Sequence, residues 1–231
     1  MTHPLLRRLA SADAEERRQA CLEAAEDPSA VLLVPALAAA LGDPDRAVAR
    51  AASRALAGLG RQHRVVTEAL RDALRADPPR GRIQAAFTLA RLEPPEPRSL
   101  PALVAALESG EGDVRWTATR ILVEMGRGHG EVLPLLIGLA RDGSPRARRM
   151  ALTGLRELAP GEPEVARLLL AATRDADLRV RRAAIAALAG LDEPPPAVID
   201  RLTALESGDP DEASRRLAAG ALARLAAADP R

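Results

Sequence analysis

Apolar residues recur along this chain in two alternating helical patterns, and the pair of patterns repeats every 33 residues. Between Asp43 and Arg75, the residues Val48, Ala52, Leu56 and Leu59 fall at i, i+4, i+8 and i+11, the spacing of one helical face. After a short turn, Val66, Leu70, Ala73 and Leu74 give a second, shorter amphipathic helix. The frame then advances without slippage. Leu56 is followed at the same step by Leu89, Leu122, Leu155 and Leu188. Ala52 is followed by Ala85, Ala118, Ala151 and Ala184, and Leu70 by Leu103, Leu136, Leu169 and Leu202. An unbroken period of this length marks stacked structural repeats. Neither apolar stripe can be buried within its own block, so neighbouring blocks must complete the core.

Local signals place the boundaries. Asp43-Pro44-Asp45, Ser144-Pro145 and Asp209-Pro210 read as helix starts. The Asp or Ser accepts orphan N–H groups there, and Pro at the first helical position sacrifices no bond. Gly58 and Gly60, with Gly126 and Gly190 at equivalent places, read as helix ends. Arg17–Glu26 fits the period one residue short and Ser214–Leu225 one residue long, as terminal repeats with one face in water do. The expected architecture is all-α, with about seven helix pairs in a single domain over residues 1–231. A capping pair and first short helix occupy 1–42, five regular repeats 43–207 and a C-terminal cap 208–231.

Composition narrows this picture without changing it. Apolar residues make up 47% of the chain, yet Tyr is absent and Phe87 and Trp116 are the only aromatics. An apolar fraction of mainly Ala and Leu suits closely packed helices rather than sheets. The formal charge is +1, and all 33 basic residues are Arg. Cys21 is the sole cysteine, so no intrachain disulfide can form, which fits a reducing compartment. The N-terminal stretch lacks the apolar core of a signal peptide. The longest apolar run, Val31–Leu41, is too short to span a bilayer. A soluble, cytoplasmic protein without membrane contact is expected.

The segments Asp175–Leu191 (DADLRVRRAAIAALAGL) and Asp43–Gly60 (DPDRAVARAASRALAGLG) resemble HEAT repeats, in particular the short bacterial, phycobilisome-lyase-type variety. Asp142 with Arg148 and Asp175 with Arg181 reproduce that pattern's Asp-to-Arg spacing. Arg82 and Arg115 keep the Arg without the matching Asp, and Ala49 lacks the Arg. The resemblance implies a right-handed superhelix in which Arg82, Arg115, Arg148 and Arg181 form a structural ladder between repeats. It also implies that the outward face of the longer helices lines the concave surface. It does not decide function, because the family includes scaffolds, carriers, nucleic-acid binders and a few enzymes.

The period serves as an internal alignment of outward positions. Opposite the apolar stripe of the longer helix stand the equivalents of residues 50, 54, 57 and 61. Those twenty positions hold eight Arg against a single acidic residue, Glu193. The outward columns of the shorter helix hold five Arg against four acidic residues, close to the chain's own balance. Positive charge is thus concentrated on the longer-helix side, at Arg50, Arg54, Arg120, Arg149 and Arg182, with Arg18 and Arg216 extending the first column. Ile83, Phe87 and Trp116 fall in the same columns, an apolar centre ringed by Arg as in a binding hot spot. Val104, Ile137 and Leu170 share one outward column of the shorter helix and are half buried between repeats or, if exposed, a dimer contact.

Catalytic constellations are not apparent. His3, His63 and His129 are the only histidines, the latter two at one repeat position in inter-helix turns. There is no Cys-x-x-Cys and no His-x-x-x-His, so no metal or cofactor is expected. The expected function is a non-enzymatic, monomeric scaffold whose Arg-rich face holds an acidic protein or peptide by bidentate guanidinium–carboxylate contacts. Nucleic-acid binding along the same face is the alternative, with Trp116 stacking on a base. A lyase-like or carrier role for a pigment or cofactor, implied only by the resemblance, is third.

Overall fold

In the computed structural model, residues 3–92, 94, 97–191 and 194–228 are described. Among these there are fourteen α-helices, two short 3-10 turns and no strand. They group into two compact units, Met1–Ala106 and Leu107–Arg231.

The first unit contains α1 (Leu5–Leu9), α2 (Ala14–Glu26), α3 (Val34–Ala40), α4 (Arg46–Gly60), α5 (Arg64–Ala73), α6 (Pro79–Leu89) and nearly all of α7 (Leu100–Leu107). Here α4 packs on both α2 and α6, forming one layer, while α3 and α5 pack together as the second. The second unit holds α8 (Gly112–Gly126), α9 (Val132–Asp142), α10 (Pro145–Leu158), α11 (Pro163–Ala172), α12 (Leu178–Leu188), α13 (Pro196–Gly208) and α14 (Glu212–Ala228). Its longer-helix layer runs α8, α10, α12, α14, each on the next, and α9, α11 and α13 form the other layer. This is an all-α helical-repeat fold in which each layer alone would leave an apolar stripe in water.

The three columns that define the period are the core. Ala52, Ala85, Ala118, Ala151 and Ala184 are wholly buried, and every Leu of the other two columns is buried. Alanine recurs at its position as a small residue does where helices pack closely, interaxial distances in such packing being about 8–10 Å. Ser53 on α4 and Thr88 on α6 are buried as well, and their hydroxyls hydrogen-bond each other at 2.8 Å. The pairing removes the cost of desolvating either hydroxyl alone.

Helix starts differ in detail from the sequence expectation. Ser144 caps α10 with Pro145 at the first helical position, as its spacing predicts. In the two Asp-Pro segments the proline lies outside the helix. Asp45 caps α4 by accepting from the N–H groups of Ala47 and Val48, while Asp43 accepts from the N–H of Asp45. The same doublet recurs as Asp175 and Asp177 ahead of α12, and as Asp209 and Asp211 ahead of α14. The first Asp of each doublet shapes the turn and the second caps the helix. In the Asp43 and Asp175 turns the first carboxylate is also in reserve for a neighbouring block, whereas in the last turn the capping Asp211 has that role.

The terminal glycines also have another role than expected. No described glycine has positive φ, so Gly60 and Gly126 are not there for a left-handed cap. A Cβ on Gly60 would lie 2.4 Å from a methyl of Leu92, and one on Gly126 would lie 2.5 Å from a methyl of Leu158. Leu92 lies in the turn that follows α6 and Leu158 ends α10, so each glycine makes room for a side chain of the next block.

Candidate functional site

The arginines of the longer helices divide into a structural set and a surface set. In the structural set, each guanidinium reaches back to the turn before its own helix. Arg17 donates to the carbonyls of Ser11 and Ala12, Arg82 to Ala76, Arg115 to Ser109, Arg148 to Gly143, Arg181 to Asp175 and Ala176, and Arg215 to Asp209. Carbonyls left over where one helix ends are thereby satisfied by a side chain from the next.

Two of these arginines also span to a neighbouring block. Arg148 makes a bidentate pair with Asp175 at 2.8 and 2.7 Å, and Arg17 pairs likewise with Asp43 at 2.7 and 3.0 Å. Arg148 thus pairs with the reserved Asp of the following turn, and Asp142, at the end of α9, is exposed. Burial pushes the Asp175 carboxyl up, but hydrogen bonds from Arg148 and the Asp177 N–H, with the charges of Arg148 and Arg181, hold it below the usual carboxylate range. In the last block, one residue longer, Arg182 takes over this role through a bidentate pair with Asp211 at 2.9 and 2.7 Å. That contact holds Asp211 far below its ordinary value, with Ser214 as a second donor. Sequence columns place Arg182 with the outward arginines; its pairing with Asp211 depends on the extra residue that moves the cap.

The other arginines expected to bind sort as follows. Arg18 on α2 pairs with Glu15, and Arg216 on α14 pairs with Glu212, so both have intrahelical partners. Arg50 and Arg54 are exposed one turn apart on α4. Arg120 is exposed one turn beyond Trp116 on α8. Ile83 and Phe87 stand one turn apart on α6 in the first unit; Ile83 is half-buried and Phe87 is only 9% exposed. Phe87 is therefore core. Ala57 and Val123, in the adjoining column, are buried as well. Glu193 lies outside the described residues. Val104, Ile137 and Leu170 are all half-buried on the shorter helices.

Trp116 is different: the residue is 51% exposed, a large apolar side chain left partly in water. It forms one rim of a groove of about 230 Å³ in the second unit. From α10 come Arg149, Met150, Thr153 and Arg156, and from α12 come Ala183, Ala186 and Ala187. The groove exists because α12 carries alanine at the repeat positions where α10 carries Met150 and Thr153. Arg149 is half-buried, and its one side-chain hydrogen bond among the described residues is a 3.9 Å contact to the Met150 sulfur. Burial pushes its pKa down, with Arg115 and Arg179 adding repulsion and Asp177 opposing them. Arg156 makes a 3.5 Å contact to Glu157. An apolar floor between two guanidiniums, neither saturated by a carboxylate, can take a side chain and an anion together.

Among the described residues, no group of three or more His, Cys, Asp or Glu could hold a metal ion. Cys21 is buried, and burial pushes its thiol up to about 11. No described helix is long and apolar enough to cross a membrane.

Comparison with solved structures finds likenesses along nearly the whole chain. One is the complex of CpcE and CpcF of phycocyanin lyase from Nostoc sp., 21% identical, covering 97% of this chain and 95% of that one, with a TM-score of 0.42. Another is a designed armadillo repeat protein in complex with the peptide (KR)4, 18% identical over 95% of this chain and 97% of that one, TM-score 0.39. A third is an engineered protein, 21% identical over 97% and 96%, TM-score 0.38. No curated protein matches the sequence. The family profile for HEAT repeats matches residues 2–90, 67–142 and 100–189. With that profile running through most of the chain, over helix pairs that stack in the frame of the 33-residue period, the chain belongs to the HEAT-repeat family.

Proposed function

We propose that this protein is a non-enzymatic interaction scaffold that binds an acidic protein segment on the outward face of its longer helices. One observation carries the reading: exposed Trp116 shares a groove with Arg149, a half-buried guanidinium that no carboxylate of the described chain neutralises. Desolvating a charge without a partner is costly, so a partner's carboxylate would recover interaction that the chain itself leaves unused. A groove of about 230 Å³ is below the roughly 300–1,000 Å³ of small-molecule sites, which favours side chains of a protein partner over an enclosed pigment or cofactor. Nucleic acid is less favoured, since Arg18, Arg182 and Arg216 already have acidic partners. That leaves fewer guanidiniums for phosphates than the sequence columns suggest.

The test uses the single Trp as reporter. A poly-glutamate peptide should change Trp116 fluorescence with saturation, and single-stranded DNA should not at physiological salt. The variant Arg120→Glu/Arg149→Gln should lose at least roughly tenfold in peptide affinity, the usual loss when one charged hydrogen-bonded contact is removed. Its melting temperature should stay close to wild type, because neither residue belongs to the ladder. Equal peptide binding by both proteins, or DNA binding tighter than peptide binding, would overturn the proposal.

A further inference from the structure

The groove beside Trp116 also bears on which acidic segment would fit, and this inference rests on the scaffold reading above. We infer that it is a selectivity pocket for one large apolar side chain of the partner, with an acidic residue next to it held by Arg149 and Arg156. Met150, Ala183, Ala186 and Ala187 line it with carbon and sulfur side chains; Met150 and Ala187 are buried, so Ala183 and Ala186, both half-buried, offer most of the apolar surface beside Trp116. Thr153 contributes little hydrogen bonding to a ligand, because its hydroxyl already donates to the Arg149 carbonyl at 3.0 Å. A purely acidic peptide would leave this apolar surface and the Trp116 ring wet. A purely apolar one would desolvate Arg149 further without pairing it.

Size supports one side chain rather than several. The groove's 230 Å³ accommodates a Phe- or Leu-sized group, and burying such a group from water is worth roughly a ten- to hundredfold gain in affinity. Charge complementarity sets the neighbour. Arg149 feels the repulsion of Arg115 and Arg179, so an added carboxylate relieves like-charge crowding as well as filling a donor. Arg156 reaches the groove from the same helix, one side of it taken up only by the long contact to Glu157. Asp177 is an acidic group whose charge opposes that repulsion at Arg149 and weakens the preference for an anion.

The experiment compares three synthetic peptides of equal length on the full chain: Glu-Phe repeats, Glu-Ser repeats and Gln-Phe repeats, read by Trp116 fluorescence and by calorimetry. The Glu-Phe peptide should bind at least roughly tenfold tighter than either of the others, as one buried apolar group and one charged pair each provide. Ala186→Phe, which fills the groove from within, should bring Glu-Phe affinity down to that of Glu-Ser. Because the added ring could disturb packing, Ala186→Ser, which keeps the volume and loses apolar character, should give an intermediate loss with unchanged melting. Equal binding of Glu-Phe and Glu-Ser, both sensitive to Arg149→Gln, would overturn the pocket and leave the scaffold reading standing. Absence of binding by all three would overturn both.

Discussion

Replacing Arg148 by Met removes one rung of the ladder while keeping most of the side chain's packing stem. Three contacts vanish together: two hydrogen bonds to Asp175 at 2.8 and 2.7 Å and one to the Gly143 carbonyl at 2.9 Å. The two side chains of the pair are 19% and 13% exposed, so water compensates poorly. Hydrogen bonds to charged groups contribute about 1.5–3 kcal/mol each. These share one guanidinium and are not additive, and Asp175 keeps the N–H of Asp177 as a donor. The expected loss is about 2–4 kcal/mol, read as a lower urea midpoint by far-UV circular dichroism. The i,i+4 pair of Arg64 with Glu68, 3.7 Å apart with side chains 88% and 60% exposed, is the control. There Arg64→Met should cost no more than about 0.5 kcal/mol. A double-mutant cycle with Asp175→Asn should give a coupling above about 1 kcal/mol.

Acid adds an independent check. The Asp175 carboxyl lies below the usual carboxylate range when folded, so its contribution is present above the ordinary value of about 3.9 and disappears as pH falls through the lower folded value. In the Met variant the Arg148 share of that depression is lost, so the stability gap to wild type should narrow as pH drops below about 4. A gap that is constant with pH, or a coupling below about 0.5 kcal/mol, would refute the ladder as an energetic link between blocks.

Other consequences can be measured with the same reagents. Leu155→Ala, in a wholly buried column, should cost about 2.7–5 kcal/mol, whereas Leu32→Ala, at a site 75% exposed, should stay within about 0.5 kcal/mol; both are read from urea midpoints. Gly58→Ala should stabilise by about 0.5–1 kcal/mol, since its Cβ would meet nothing nearer than 3.9 Å, while Gly126→Ala should give no such gain because Leu158 must move. Cys21 should resist a thiol reagent at neutral pH until urea unfolds the chain, because it is buried and its thiol is pushed up to about 11. Trp116 fluorescence should be quenched by iodide in the free protein, and a shielded spectrum would contradict its exposure.

The sequence alone determined the repeat frame and the core. Burial of the Ala52, Leu56 and Leu70 columns follows from a helical period that only stacked blocks can satisfy, so every equivalent residue reports the same environment. It also located Trp116 on an outward column and the Arg concentration around it. Tertiary structure decided which outward residues are free. An outward column on one helix is still flanked by another helix of its layer: Gly154 of α10 lies against the Val123 side chain, a neighbour that a single-helix projection does not contain, and Phe87 is buried as well. Ladder partners lie 26 to 29 residues away, at distances set by turn geometry rather than by the period, and one extra residue transferred the last rung from Arg181 to Arg182. The groove itself arises from alanines on one helix beside larger side chains on the adjacent helix of the same layer, and it forms only once those helices are packed.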